Sequence, residues 1–135
     1  MTAFLYLLEE NRVNIAMDSL TTDGLTKEPL KFVTKIFLLP HLKGVICGTG
    51  CLDIILEWYL YVQKNILATD ILFLDKIAPE KLNEISVNLK LNGDETTTIY
   101  HFGYNENTKK FTGFAYRGAD SFKSKELIYS IGIKP

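Results

Sequence analysis

The sequence has little of what marks a nucleic-acid-binding or membrane-spanning protein. Fifteen Lys and Arg residues are balanced by sixteen Asp and Glu, and the net charge of −1 gives no electrostatic reason to expect a nucleic-acid partner. The longest apolar stretches are interrupted by Glu57, Gln63 and Lys64, so we expect no membrane-spanning helix. Charges within residues 9–12 interrupt the first apolar segment, which argues against a secretory signal peptide.

Cysteine and histidine are scarce, with two of each. Cys47 and Cys51 lie four residues apart, and the cytoplasm, where we expect the protein to be, keeps such thiols reduced. We therefore expect both to be small packing residues and not a disulfide. His41 and His101 add no recognisable ligand spacing, so the sequence predicts no metal site, and we expect no cofactor.

The sequence does contain enough apolar material for one core. Its hydrophobic content is 47%, and 135 residues is close to the commonest size of a single domain. No linker, internal repeat or low-complexity tract divides it. We therefore treat residues 1–135 as one domain.

The hydrophobic pattern predicts strands at both ends of the chain and helices between them. Two hairpins are expected first, then a long helix with an apolar stripe at helical spacing, a second helix beginning at Pro79, and three more strands. The expected strands are 2–8, 13–17, 30–39, 44–47, 96–104, 110–116 and 126–133, the helices run from about 50 to 67 and from 79 to a stop at Asn92-Gly93, and 18–29 is expected to be a loop. Grouped strands, then helices, then strands predict an α+β fold.

The candidate chemistry lies in the first fifty residues. Thr2 follows Met1, Asp18 and Lys35 come later, and Gly48-Thr49-Gly50 precedes the long helix. An N-terminal threonine can be nucleophile and base at once, because its hydroxyl attacks while its own α-amine, with an ordinary pKa of about 7.7–8.0, accepts the proton. A buried pair of Lys35 and Asp18 would supply a positive field beside it.

These segments resemble those of proteasome β-subunits and of the bacterial proteasome-like peptidases, which belong to the N-terminal nucleophile (Ntn) hydrolase superfamily. The family has a mature N-terminal Thr, a strand pair ending in Ala-Asp, a Lys before an Ile/Val strand, and a Gly-rich turn that opens a long helix. The corresponding segments are Thr2, Ala16-Met17-Asp18-Ser19, Thr34-Lys35-Ile36 and 47–53. Residues 126–132 resemble the strand before the family's third helix, so the resemblance covers most of the chain.

The resemblance implies a fold, an activity and catalytic residues. The fold would be an αββα-type sandwich of two antiparallel sheets, shortened at its C-terminus and with two helices on one face. In the implied threonine amidohydrolase or peptidase, Thr2 would be nucleophile and base. Lys35 would lower the proton affinity of the Thr2 hydroxyl and amine by its positive charge, and Asp18 would hold Lys35 in place. The Gly48 backbone N–H would stabilise the oxyanion of the intermediate that leads to an acyl-enzyme.

The resemblance also implies how a peptide or amide substrate would bind. The backbones at Thr22 and Gly50 would pair with an extended substrate by adding it as a strand. A bare face on the shortened sandwich predicts a homo-oligomer, built partly on the hairpin of residues 96–116 or on the long helix.

Two departures from the family pattern favour an alternative function, that of a non-catalytic interaction or assembly protein that keeps the fold without the chemistry. Where the family has Gly-Ser-Gly, this sequence has Gly132-Ile133-Lys134-Pro135, so the supporting serine is absent. A retained Met1 would convert the Thr2 amine into an amide, which cannot act as a base. Taken singly, Thr2, Asp18 and Lys35 are also what ordinary strands and turns contain.

Two further interpretations of the sequence remain open. Gly48-Thr49-Gly50 before a helix could cradle a phosphate, although the third glycine of a dinucleotide fingerprint and the Gly-Lys-Ser/Thr of a P-loop are absent. The aromatic residues of the late hairpin could form a base-stacking sheet, although no basic surface accompanies them.

Overall fold

The computed structural model describes residues 2–23, 25–65, 70–91 and 96–134. Within these ranges, six strands are followed by two helices and four more strands. The strands are β1 (Phe4–Glu9), β2 (Arg12–Met17), β3 (Leu20–Thr22), β4 (Pro29–Phe32), β5 (Ile36–Leu39), β6 (Gly44–Thr49), β7 (Thr98–Asn105), β8 (Lys110–Arg117), β9 (Ser124–Glu126) and β10 (Ser130–Lys134), and the helices are α1 (Leu52–Asn65) and α2 (Ile71–Asn88).

All the strand pairs among the described residues are antiparallel. One sheet has the order β10-β1-β2, a second has β5-β6-β7-β8-β9, and β3-β4 forms a small separate ribbon. The predicted α+β sandwich is confirmed, and the ribbon is an addition that the sequence pattern did not predict. β3 arises within the expected loop of residues 18–29, whereas β4 begins at Pro29 and continues into the expected strand of residues 30–39.

The two larger sheets stack through an aromatic layer. Phe4 and Leu8 of β1 are buried with Cys47 of β6 and Phe102 of β7 in one cluster. The Phe4 ring lies 4.6 Å from the ring of Tyr100, measured between centroids. The late hairpin therefore lies in the middle of the fold, and its aromatic residues are core residues, which leaves no open base-stacking sheet.

Both helices cover the other face of the five-stranded sheet, as predicted. α1 contacts β6, and α2 contacts β7, β8 and β9. Trp58 and Leu82 from the helices are fully buried with Ile46 and Ile99 from the sheet. No helix within the described ranges combines the length and the apolar character that crossing a bilayer requires.

The outer face of the three-stranded sheet is apolar and exposed. Leu5 pairs with Ile133, and Leu7 pairs with Ile131, so these side chains share one face. Leu5 is 44% exposed, Ile131 64% and Ile133 72%. The late hairpin is largely buried, so it offers less accessible surface for the predicted interface than this outer face does. An interface on the long helix, where Leu60 is 43% exposed, stays a prediction.

The start of the second helix was predicted wrongly. α2 begins at Ile71, where the Asp70 side chain accepts a hydrogen bond of 2.9 Å from the backbone N–H of Phe73. Pro79 lies inside the helix and not at its first turn. The buried stripe of Leu74, Ala78 and Leu82 runs past it, and that burial offsets the hydrogen bond that proline cannot make.

The predicted strand of residues 30–39 is divided in two, because it forms β4 and β5 with a break between them. Of the predicted strand 126–133, only Glu126 belongs to β9 in the five-stranded sheet, whereas residues 130–133 belong to β10 in the three-stranded sheet. The first helix begins at Leu52, two residues after its predicted start near residue 50. Its predicted end at residues 66–67 and the predicted stop at Asn92-Gly93 lie outside the described residues.

Candidate active site

Three strand termini bring Thr2, Asp18 and Lys35 to one end of the sandwich. Thr2 precedes β1, Asp18 directly follows β2, and Lys35 directly precedes β5. The β1–β2 register places Phe4 opposite Met17, and the Asp18 N–H donates to the Ala3 carbonyl at 3.2 Å. The hairpin therefore closes the gap of sixteen residues between the predicted nucleophile and the predicted carboxylate.

The Lys35 ammonium has three acceptors within hydrogen-bond distance. It lies 3.2 Å from the Thr2 hydroxyl oxygen, 2.7 Å from Asp18 Oδ1 and 2.6 Å from the Leu20 carbonyl oxygen. An ammonium has three hydrogens to donate, so these contacts satisfy it completely. The Lys35 side chain is only 5% exposed, and Lys35 lies in the break between β4 and β5.

The interactions of Asp18 with Lys35 and the Ala3 backbone outweigh the effect of burial on the pKa of the Asp18 carboxyl group. Partial burial alone would raise its pKa, but the hydrogen bond from Lys35, the hydrogen bond from the Ala3 backbone and the Lys35 charge together hold the pKa of Asp18 below its ordinary value. Asp18 is therefore ionised at neutral pH, and the Lys35 cation has a permanent counter-charge.

Gly48 lies at the point where the β5–β6 ladder stops. The last pair of that ladder is Ile36–Cys47, so Gly48 is one residue beyond it and lines the cleft that contains Thr2 and Lys35. A Cβ at Gly48 would come within 2.9 Å of the Ile55 side chain of α1 and 3.0 Å of the Thr98 carbonyl oxygen. The absence of a side chain therefore lets the N-terminus of α1 pack directly behind the strand end.

Gly50 makes the turn from β6 into α1. Its φ is +94°, and a Cβ there would lie 2.6 Å from the Thr97 backbone. The Cys51 N–H that follows donates to the Thr97 hydroxyl oxygen at 2.9 Å. This geometry makes Gly48-Thr49-Gly50 a tight strand-to-helix connection beside the cleft.

The cleft has a volume of about 830 Å³. Five of the six residues predicted to form the site line it, and the sixth, Asp18, contacts Lys35. The five are Thr2, Thr22, Lys35, Gly48 and Gly50. Geometry thus groups the predicted residues, whereas their individual roles remain predictions.

Sequence reasoning missed three basic residues of the cleft, of which Lys27 lies in the expected loop of residues 18–29. Lys134 and Arg117 also line the cleft, and the Lys134 ammonium donates to the Thr49 hydroxyl oxygen at 2.6 Å. Lys134 belongs to the segment that departs from the family pattern, so no motif pointed to it. The β1–β10 register, which pairs Lys134 with Phe4, would have been the only signal, and it is not visible in the sequence.

The cysteines are free, as predicted. Cys47 is buried in the aromatic layer, where burial raises the pKa of its thiol. Cys51 is partly buried at the edge of the cleft and packs against the helix-side core. Within the part of the chain that the structure describes, no three His, Cys, Asp or Glu side chains are grouped as metal ligands would be.

The fold closely matches solved structures of Anbu, an ancestral β-subunit. A mutant of Anbu from Hyphomicrobium sp. strain MC1 superimposes with a TM-score of 0.70 over 99% of this chain, at 13% identity. The chain has a proteasome β-subunit-like fold. Anbu from Yersinia bercovieri, at 12% identity, and the Anbu complex from Pseudomonas aeruginosa, at 13%, each give a TM-score of 0.68 over the whole chain.

This likeness concerns the fold alone. No protein-family model and no curated protein matches the sequence. The chain spans 59–61% of the length of these three Anbu structures. The α+β sandwich and its proteasome-like arrangement are established by the comparison, and the chemistry of the site has to be argued from this chain's own residues.

Proposed function

We propose that the chain is an N-terminal threonine hydrolase of peptide or amide bonds. The observation that supports this most directly is the buried Lys35 ammonium, which bridges the Asp18 carboxylate and the Thr2 hydroxyl at the wall of an open cleft. A cation held against the hydroxyl of the second residue stabilises negative charge on that oxygen. It does so at the one position where methionine removal would also create a free amine.

The reaction would proceed through an acyl-enzyme. The Thr2 oxygen attacks the substrate carbonyl, and its proton passes to the Thr2 α-amine, whose pKa of about 8 suits proton exchange near neutrality. The amine then protonates the leaving nitrogen as the C–N bond breaks. Water cleaves the resulting ester and restores the Thr2 hydroxyl.

The remaining site residues would position Lys35 and the substrate and would stabilise the oxyanion. Asp18 holds the Lys35 ammonium at the hydroxyl, and its lowered pKa keeps that role available across neutral pH. The backbone N–H of Gly48 would face the oxyanion from the end of the β5–β6 ladder. Thr22 and Gly50, on the cleft walls, would offer backbone groups to an extended substrate.

Substitution of Thr2 tests the proposal. Thr2→Ala should abolish hydrolysis of a fluorogenic peptide library, whereas Thr2→Ser should retain part of it, because serine keeps the hydroxyl and the free amine. Alanine and serine are both small enough for methionine removal, so intact mass should show loss of Met1 in all three proteins. Equal hydrolysis by wild type and Thr2→Ala would contradict the mechanism, and so would a retained Met1 in an active enzyme.

A non-catalytic assembly protein is the second candidate, and the exposed apolar sheet face favours it. Leu5, Ile131 and Ile133 present a surface that a partner could cover. We propose a homo-oligomer for either candidate function, in line with one similar structure that is described as a helical assembly of the Anbu complex. The free thiols of Cys47 and Cys51 support a cytoplasmic location.

A further inference from the structure

The cleft beside Thr2 is strongly basic. Among the described residues, four basic side chains line it, and the acidic lining is Asp53 alone. Lys35 already has a counter-charge in Asp18. Lys134 and Arg117 are different, because no ion pair involving either is found within the described ranges.

Lys134 reaches from one sheet to the other. It lies on β10 of the three-stranded sheet, and its ammonium contacts the Thr49 hydroxyl of β6 in the five-stranded sheet. Burial lowers the pKa of Lys134, and the neighbouring positive charge of Arg117 lowers it further. The partly buried Lys134 and the exposed Arg117 therefore line the same cleft. A bound anion would reduce the repulsion between these two positive charges.

The pair lies close to the proposed nucleophile. Lys134 is opposite Phe4 on β1, and Thr2 precedes Phe4 by two residues. Two extended residues span roughly 7 Å. A substrate group bound by Lys134 would therefore lie about one or two residues from the bond that Thr2 attacks.

We propose that Lys134 and Arg117, together with the Thr49 hydroxyl, bind a carboxylate of the substrate, so that the cleft selects acidic peptides. This inference rests on the proposed hydrolase function and specifies its substrate class. The carboxylate can come from an Asp or Glu side chain next to the scissile bond or from the C-terminus of a short peptide. Both present the same planar anion to a guanidinium and an ammonium.

Matched peptides test the selectivity. Blocked fluorogenic peptides that differ only in Glu, Gln or Lys beside the scissile amide should be cleaved by the wild type with kcat/KM about tenfold higher for Glu than for Gln, as one charge-assisted contact allows. Lys134→Gln and Arg117→Gln should each reduce that ratio severalfold, and Lys134→Glu should shift preference to the Lys peptide. Lys123→Gln, at an exposed position, is the control and should leave the ratio unchanged.

The two sources of the carboxylate are separated by a second set of peptides. A peptide that has no charged side chain and ends in a free C-terminal carboxylate is compared with its C-terminally amidated form. A preference for the free form that Lys134→Gln removes would assign the site to a terminal carboxylate. A preference limited to the Glu side chain would assign it to an acidic residue, and either result supports carboxylate binding.

Binding to Thr2→Ala separates this inference from the proposed function. Fluorescence anisotropy with labelled, non-cleavable Glu and Gln peptides does not require turnover. If wild type hydrolyses nothing, tighter binding of the Glu peptide that is lost when Lys134→Gln is added to Thr2→Ala still supports the anion site. Equal affinity for Glu and Gln peptides, or no binding of the Glu peptide at millimolar concentration, would overturn it even if Thr2 proves catalytic.

Discussion

The Lys35 ammonium lies 2.7 Å from the Asp18 carboxylate, with the lysine almost fully buried and the aspartate 36% exposed. This asymmetry decides how each residue contributes to stability. Removing Lys35 leaves a carboxylate that water can still reach. Removing Asp18 leaves a cation that has lost its only nearby counter-charge among the described residues.

Asp18→Asn should therefore destabilise the fold more than Lys35→Met. An unpaired buried charge costs about 3–5 kcal/mol, but the partial exposure of Asp18 lets water screen the cation, so we expect about 1–2 kcal/mol for Asp18→Asn. Lys35→Met should cost less than that, and the double variant should resemble Lys35→Met. Urea unfolding at pH 7 measures all three, and a larger loss for Lys35→Met would mean that the lysine stem and not its charge supports the site.

The buried imidazole of His101 should make the fold acid-sensitive. His101 Nε2 accepts from Trp58 Nε1 at 2.8 Å, and burial lowers the pKa of His101 to about 3. Because the unfolded chain binds this proton at a pKa near 6.5 and the folded chain does not, stability is lost as pH falls from about 6.5 towards 3. Each pKa unit corresponds to about 1.4 kcal/mol, so His101 should cost roughly 3 kcal/mol between pH 6.5 and 4.

The histidine contribution can be isolated by substitution. In His101→Gln, the amide oxygen can still accept from Trp58, while the titrating group is gone. The difference in unfolding free energy between wild type and His101→Gln should shrink or reverse on going from pH 7 to pH 4. His41→Gln, at an exposed position, controls for loss of a histidine, and a pH-independent difference for His101→Gln would contradict the burial argument.

The two cleft glycines should separate stability from activity. At Gly50 an alanine Cβ meets backbone atoms at 2.6–2.8 Å with φ at +94°, so Gly50→Ala should lower the unfolding free energy by about 2 kcal/mol or more. At Gly48 the nearest atoms are two Ile55 side-chain carbons at 2.9 Å and the Thr98 carbonyl oxygen at 3.0 Å, and no positive φ adds strain there. Gly48→Ala should therefore retain more stability, yet lose most hydrolysis because the new methyl group disturbs the proposed oxyanion site.

A second substitution, at Ile55, separates the effect of Gly48→Ala on packing from its effect on hydrolysis. Ile55→Val removes Cδ1, one of the two Ile55 carbons that a Cβ at Gly48 would meet at 2.9 Å. Adding Ile55→Val to Gly48→Ala should restore part of the melting temperature without restoring turnover. Recovery of activity together with stability would show that Gly48 matters only for packing.

The exposed sheet face should mediate self-association. Burying apolar surface contributes about 25 cal/mol per Å², and a standard interface buries about 800 Å² per partner. Light scattering at micromolar concentration should show more than one chain per particle, and Ile133→Lys should reduce the particle mass. Leu25→Lys, at a side chain that is 95% exposed in a turn, is the control, and a strictly monomeric wild type would contradict the oligomer.

The sequence alone determined the fold class and most of the candidate site. Strands grouped around central helices follow from hydrophobic periodicity, which depends only on neighbours along the chain. The grouping of Thr2, Asp18 and Lys35 was predictable because each lies at a strand end and their order resembles that of a known family. The start of α2 at Ile71 could have been predicted from its capping residue, Asp70. Pro79 was taken as the stronger signal, but the burial of the helix face outweighs the effect of the proline.

Only the tertiary structure decided which strands share a sheet and which side chains share the cleft. Residues 126–133 look like one strand, yet Glu126 pairs with β8 and residues 130–133 pair with β1 in the other sheet, because pairing depends on partners far away in sequence. That division is what carries Lys134 across to Thr49 and places it beside Arg117. No local pattern encodes such a meeting, since it arises from the register of β10 on β1 and from the stacking of two sheets.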